Sequence, residues 1–242
     1  MIKKVIYLFV LILLSLCVIE SVRITIADKV FYPILSAIAK NSTNYDLKVN
    51  CGRLKLFAKD YEVAEEIFVD IIQNAPVLTD KTAKYKAFYE LGNVYYETEQ
   101  YIEAAKAYEL VLRNNIKNRK ALKKFVRIKM AQKDYITAYR FVNTYVKEKP
   151  NDAFGHAEKC AILTRFGKFS AARVSCEKAI EIRKGYARAH YDYAVLLKAQ
   201  GFNDLAQKEY DLAISHSRHI KSRGELEKSL NLKPIEQETQ PF

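Results

Sequence analysis

Four histidines and four cysteines are the residues of this 242-residue chain whose types suit metal binding or nucleophilic chemistry. His216 and His219 stand one helical turn apart. No cysteine or carboxylate joins them at ligand spacing, so they read as surface histidines at a helix end rather than a zinc site. His156 and His190 are 34 residues apart, which puts them on separate structural units and predicts packing roles. Cys160 and Cys176 read as small buried fillers, with a disulfide open to them in an oxidising compartment. The chain has no G-x-x-x-x-G-K-[ST], H-E-x-x-H or G-x-S-x-G; the nucleotide, zinc-protease and serine-hydrolase chemistries those motifs carry are therefore not expected. The expectation is a protein that is not an enzyme, with no metal, no cofactor and no small-molecule substrate.

What remains is electrostatic. Lysine and arginine number 40 against 28 acids, a net charge of +12. The segment from Arg113 to Lys133 holds nine of the basic residues and no acid. Such a run is either a solvated face or a basic stripe of Lys120, Lys123 and Arg127 that steers acidic partners by long-range attraction.

The elements that must carry these residues repeat at a period of 34, found by laying the chain out from Tyr85. Units begin at Tyr45, Tyr85, Arg119, Ala153 and Ala187. Position 20 reads Ala64, Ala104, Ala138, Ala172 and Ala206; position 17 reads Tyr61, Tyr101, Tyr135, Phe169 and Asn203. Position 8 is mostly small: Gly52, Gly92, Val126, Cys160 and Ala194. Gly92 interrupts an otherwise good helix, where glycine costs about 1 kcal/mol relative to alanine, so a close approach to the Ala104 helix is expected there. Pro76 and Pro150 share position 32, while Gly167 and Gly201 share position 15, between the two helices of a unit.

The pattern L-G-x-x-Y, then A-x-x-x-[FY], then proline, resembles the tetratricopeptide repeat (TPR), a helix-turn-helix unit of about 34 residues. Departures are Lys48, His156 and His190 at position 4, Lys55 and Lys129 at position 11, and the larger Val126 at position 8. Composition agrees with an all-α class: 50% of residues are apolar and 28% charged, and seven glycines with five prolines leave little for β turns. The resemblance implies a right-handed superhelical solenoid of about five units at 45–78, 85–118, 119–152, 153–186 and 187–220, in which stacked helix pairs supply one another's core. A capping helix is expected at 221–232 and a disordered tail at 233–242.

In this architecture the first helix of each unit lines a concave groove through positions 2, 5, 9 and 12, one stripe of the 3.6-residue period. The candidate partner-binding residues are Tyr89, Asn93 and Tyr96, then Lys120, Lys123 and Arg127, then Phe154 and Arg165, then Tyr191 and Lys198. A groove of tyrosines and cations with few acids suits an acidic peptide segment, extended or helical. The family's carboxylate clamp is not expected, because only Lys120 and Lys124 match it while Val49, Arg53 and Glu90 fill its other positions.

The N-terminus places the repeats. Lys3 and Lys4 precede fifteen uncharged residues, Val5 to Ile19, a length between the core of a signal peptide and a membrane span. No A-x-A site follows, and Val22, Ile24 and Ile26 prolong the apolar character. Residues 1–22 are therefore expected to be one uncleaved transmembrane helix, with removal as a signal the alternative. Residues 23–44 form a leader helix or linker that rests on the membrane or packs under the first repeat. Cations before the span and balanced charge after it put the N-terminus in the cytoplasm. The repeats would then face the periplasmic side of the cytoplasmic membrane. Anchor, repeats and lack of an active site predict a membrane-tethered scaffold or adaptor. It would serve as a component or assembly factor of a multi-protein envelope complex: secretion, pilus, motor or envelope biogenesis. A soluble exported chaperone or adaptor is the alternative, and nucleic-acid binding is disfavoured for an outward-facing domain.

Overall fold

The computed structural model of the protein describes residues 24–40, 45–74, 81–217 and 224–225. Among them are helices and tight turns and no strand. A π-helical turn at Ala27–Phe31 leads into α1 (Tyr32–Lys40). Helix pairs follow: α2 (Tyr45–Phe57) with α3 (Tyr61–Asn74), α4 (Lys81–Glu97) with α5 (Tyr101–Asn114), and α6 (Arg119–Ala131) with α7 (Tyr135–Glu148). The last two are α8 (Ala153–Arg165) with α9 (Phe169–Ile182), and α10 (Ala187–Ala199) with α11 (Asn203–Ser215). Helix α4 starts at Lys81, four residues ahead of the 34-residue frame. The anchor expected at 1–22 and the tail at 233–242 lie outside the described residues. Of the expected cap at 221–232, Gly224 and Glu225 are described, and both are helical. No helix among the described residues is long and apolar enough to cross a membrane. Two compact units divide inside α5, after Val111.

In the first unit the helices meet where one side chain is missing. A β-carbon added to Gly52 would lie 2.5 Å from the Phe68 ring, and one added to Gly92 would lie 2.8 Å from the Tyr108 ring. Both rings are wholly buried. The helix that Gly92 approaches is the one carrying Ala104, as expected, but the atom it makes room for belongs to Tyr108. Position 8 of the first helix thus meets position 24 of the second. Phe68 joins Val49, Ala64, Ile71, Ala87, Leu91 and Val94 in one apolar cluster.

The second unit solves the same contact differently. Val126 and Val142, at positions 8 and 24 of α6 and α7, are both buried. Cys160 and Cys176 occupy those positions in α8 and α9 and are joined as a disulfide, with α-carbons 5.2 Å apart. Ala194 and Tyr210 share a cluster in α10 and α11.

The turn inside every pair is the same. Position 15 is left-handed in all five: Lys59 at φ 63°, Glu99 at 63°, Lys133 at 58°, Gly167 at 73° and Gly201 at 84°. The next amide in each closes a six-residue ring onto the helix, as Asp60 N–H does to Leu56's neighbour Lys55 O at 2.9 Å and Lys168 N–H to Leu163 O at 2.9 Å. This arrangement satisfies carbonyls left open at a helix end, and glycine adopts it without a side-chain penalty. Three units do so with non-glycine residues.

Departures from the repeat pattern acquire reasons here. Lys55 and Lys129 replace an aromatic or leucine at position 11 and pair with aspartates at position 16 of their own units: Lys55 with Asp60 at 2.9 Å, Lys129 with Asp134 at 3.4 Å. Asp134 also caps α7 by accepting from Thr137 N–H, which holds its carboxyl below the usual range against the effect of burial. His156 and His190 at position 4 reach back to the turn before their helix, bonding the carbonyls of Pro150 at 2.8 Å and Lys184 at 2.7 Å.

Two measurements check this packing. Gly92→Leu should lower stability to urea by about 1–3 kcal/mol through overpacking against Tyr108, and an unchanged midpoint would show that the pair yields freely. Thiol titration of the denatured chain should count two fewer groups without reductant than with it, the pair Cys160 and Cys176.

Candidate protein-binding face

The first helices of successive pairs lie side by side within each unit, tied by polar contacts. In the first unit Lys86 on α4 donates to Asp46 on α2 at 2.7 Å, and Arg53 Nε donates to Glu90 Oε1 at 2.7 Å. In the second, the Arg119 guanidinium lies 4.4 Å from the Phe154 ring centre. Arg188 on α10 lies 3.7 Å from Glu158 on α8 and 2.7 Å from its own helix's Asp192.

The ten residues expected to line a groove fall into three environments. Asn93 and Phe154 are buried, at 9% and 3% exposure, and are not surface. Asn93 Nδ2 donates to Glu90 Oε2 at 2.8 Å while its Oδ1 accepts from the Tyr108 hydroxyl at 2.9 Å. It therefore continues the relay that starts at Arg53 and orients the ring Gly92 makes room for. Phe154 packs edge-on to Tyr145, 5.8 Å between centres. A bulky group at position 2 next to the small Ala157 turns inward, because a void there would forfeit contacts on every side.

Tyr89, Tyr96, Arg127 and Tyr191 are half-buried. Tyr96 stands edge-on to Tyr101 at 5.6 Å and Tyr191 lies 5.7 Å from Tyr210. Burial pushes the Tyr89 hydroxyl above its ordinary value. Lys120, Lys123, Arg165 and Lys198 are exposed. They all belong to the second unit. No ion pair among the described residues engages Lys120, Lys123 or Lys198.

Sequence reasoning missed the acids of these helices. Position 6 holds Glu90, Glu158 and Asp192, buried at 6%, 6% and 4% exposure. The signal was available: three of five units carry an acid at one repeat position, with Arg53 or Arg188 at a neighbouring stripe position. Burial makes pairing obligatory. Arg188, at position 2 of its unit and so on the same stripe, is consumed by Glu158 and Asp192. Two carboxylates share that one guanidinium, so burial and the Glu158 charge together push the Asp192 carboxyl up to about 7, against the pull of Arg188.

The described residues hold no group of three or more side chains able to bind a metal ion. Cys51 is buried, and desolvation pushes its thiol up, away from the reactive thiolate. A cavity of about 530 Å³ lies beside it, lined by Tyr32, Ser36, Lys48, Glu66, Ile67 and Asp70. Lys48 and Asp70 there are 3.6 Å apart. No nucleophile and base are paired in it.

No protein-family model and no curated protein matches the chain. Solved structures do resemble it. YrrB, described as a TPR protein with an unusual peptide-binding site, superposes with a TM-score of 0.56 at 21% identity, over 76% of this chain and 92% of that one. MamA from Desulfovibrio magneticus RS-1 gives 0.59 at 14%, over 74% and 97%. A further MamA crystal structure gives 0.56 at 16%, over 68% and 93%. The chain thus has the helical-repeat fold of TPR proteins.

The charge cluster sets a pH dependence. Asp192 titrates higher folded than unfolded, where the value is near 3.8, so the stability it gives below pH 4 is lost as pH rises toward about 7. Asp192→Asn should flatten the fall in urea midpoint between pH 4 and pH 8. Arg188→Met, which strands two buried carboxylates, should cost about 3–5 kcal/mol at pH 8 and less at pH 5. Equal losses at both values would mean that the cluster is solvated.

Proposed function

We propose that the chain is a non-enzymatic scaffold or adaptor, tethered to the membrane through residues 1–22, whose repeats hold carboxylate-bearing segments of partner proteins within a multi-protein envelope complex. One observation carries the binding face: every exposed residue among the ten candidates is a cation, Lys120, Lys123, Arg165 or Lys198, while the acids of the same helices are buried and paired. An incoming carboxylate therefore meets positive charge alone at the surface. YrrB's described peptide-binding site is a precedent on the same fold.

Tethering rests on the uncharged run Val5 to Ile19 and on Lys3 and Lys4 ahead of it. The Cys160–Cys176 bond supports a periplasmic placement of the repeats, because disulfides persist in oxidising compartments. The run's fifteen residues also suit a cleaved signal, which would release a soluble exported adaptor; N-terminal sequencing of the mature protein separates the two.

Purification of the detergent-solubilised full chain from its host, beside Lys120→Glu/Lys123→Glu/Lys198→Glu, tests the face. Partners should co-purify with the parent at low salt and be lost from the triple variant and at high salt. An identical set of partners with both proteins would overturn the assignment. Protease added to sealed cells with a permeable outer membrane should degrade the repeats and spare a tag at the N-terminus.

A further inference from the structure

The helix before the first pair is apolar on both faces. Its inner face is fixed: Ala27 and Ala39 are buried, at 5% exposure each. Lys55 of α2 donates to Asp28 at 2.7 Å and sits 4.2 Å from the centre of the Tyr32 ring. Tyr32, Leu35 and Ser36 are half-buried on that side. The opposite side is not covered. Val30, Ile34 and Ile38 recur every four residues and are exposed at 42%, 56% and 59%, with exposed Pro33 and Ala37 filling the stripe between them. No charge falls between Lys29 and Lys40. A helix that is hydrophobic all round is covered on both sides in its working state.

We propose that this outer face seats on the lipid bilayer, with Val30, Ile34 and Ile38 among the headgroups and upper acyl chains and the helix lying along the surface. The inference rests on the reading of residues 1–22 as a membrane anchor. Chain length favours lipid over a protein partner. Ile19 ends the uncharged run and Ile24 begins the described helix. The five steps between them span at most roughly 18 Å, so an embedded run delivers this helix to the interface. Exposed Lys29 stands at the start of the apolar stripe, where an interfacial helix offers a cation to lipid phosphates while its apolar face is buried. Because Lys55 locks the inner face to α2, the seat fixes how the first helix pair stands on the membrane and not merely that it is near.

The chain has no tryptophan, so a single introduced indole reports its own surroundings. Full-length Ile34→Trp and Ile38→Trp are reconstituted into phosphatidylethanolamine–phosphatidylglycerol vesicles, with and without acyl-brominated lipid, beside Ile136→Trp on α7, whose parent residue is 71% exposed. Both helix variants should float with the vesicles, emit to the blue of the α7 variant and be quenched several-fold by brominated lipid, while the α7 variant is not quenched. Flotation with water-like emission at 34 and 38 overturns the seat and leaves the anchor standing. Blue emission without quenching assigns the face to protein, either residues 1–23 or a second copy, and also overturns it. Failure to float removes anchor and seat together.

Discussion

The contact between position 8 of one helix and position 24 of the next sets how near the two backbones of a pair can come, and the remaining geometry follows from that spacing. Glycine opposite a ring in the first unit, paired cysteines in α8 and α9, and alanine beside Tyr210 in α10 and α11 are different ways of filling one volume. Interiors are packed like organic crystals, so the sum of the two side chains is constrained more tightly than either alone. That is why a ring appears where position 8 has no side chain. It is also why alanine is constant at position 20, one turn earlier on the second helix: all five of those alanines are buried.

The fold was legible because this constraint repeats. A single Gly92 is ambiguous, but small residues at position 8, aromatics at 17 and alanine at 20, all at one period, leave helix pairs as the consistent solution. Less legible was what depends on pairs of positions. Lys55 and Lys129 look like errors at position 11 until each is matched with an aspartate at position 16. Gly167 and Gly201 announced the left-handed turn, whereas Lys59, Glu99 and Lys133 concealed it, since the hydrogen bonds that close the helix end outweigh a modest penalty for a side chain there.

The candidate face was half legible for the same reason. Residue type and period place a side chain on a stripe, but not the depth at which it stops. Lys120, Lys123, Arg165 and Lys198 stayed outside because a lone ammonium or guanidinium is expensive to desolvate. Phe154 went inward beside Ala157, and Asn93 was taken up by Glu90 and Tyr108. Burial then sorted the charges of the second unit's first helices: Glu158 and Asp192 went inside with Arg188, and Lys120, Lys123, Arg165 and Lys198 were left at the surface. The surface is more one-sided in sign than the sequence of those helices.

The last helix pair carries a second consequence of buried pairing. His190 bonds a carbonyl through Nε2 and the Glu209 carboxylate through Nδ1, both at 2.7 Å. A carbonyl and an ionised carboxylate both accept, so the two bonds together favour the form with a proton on each ring nitrogen. The Glu209 bond, with Lys184's carbonyl adding to it, holds its pKa above the ordinary value against desolvation. Its stabilisation is complete below pH 6.5 and is lost as pH rises through the folded value. Asp192, two residues along α10, loses its contribution earlier in the rise, from 3.8 toward about 7, because it must ionise beside Glu158 with a shared Arg188. An imidazolium and a carboxyl usually oppose one another in pH dependence. Here one is paired with a spare carboxylate and the other lacks a cation of its own, so both favour the folded α10 and α11 in mild acid.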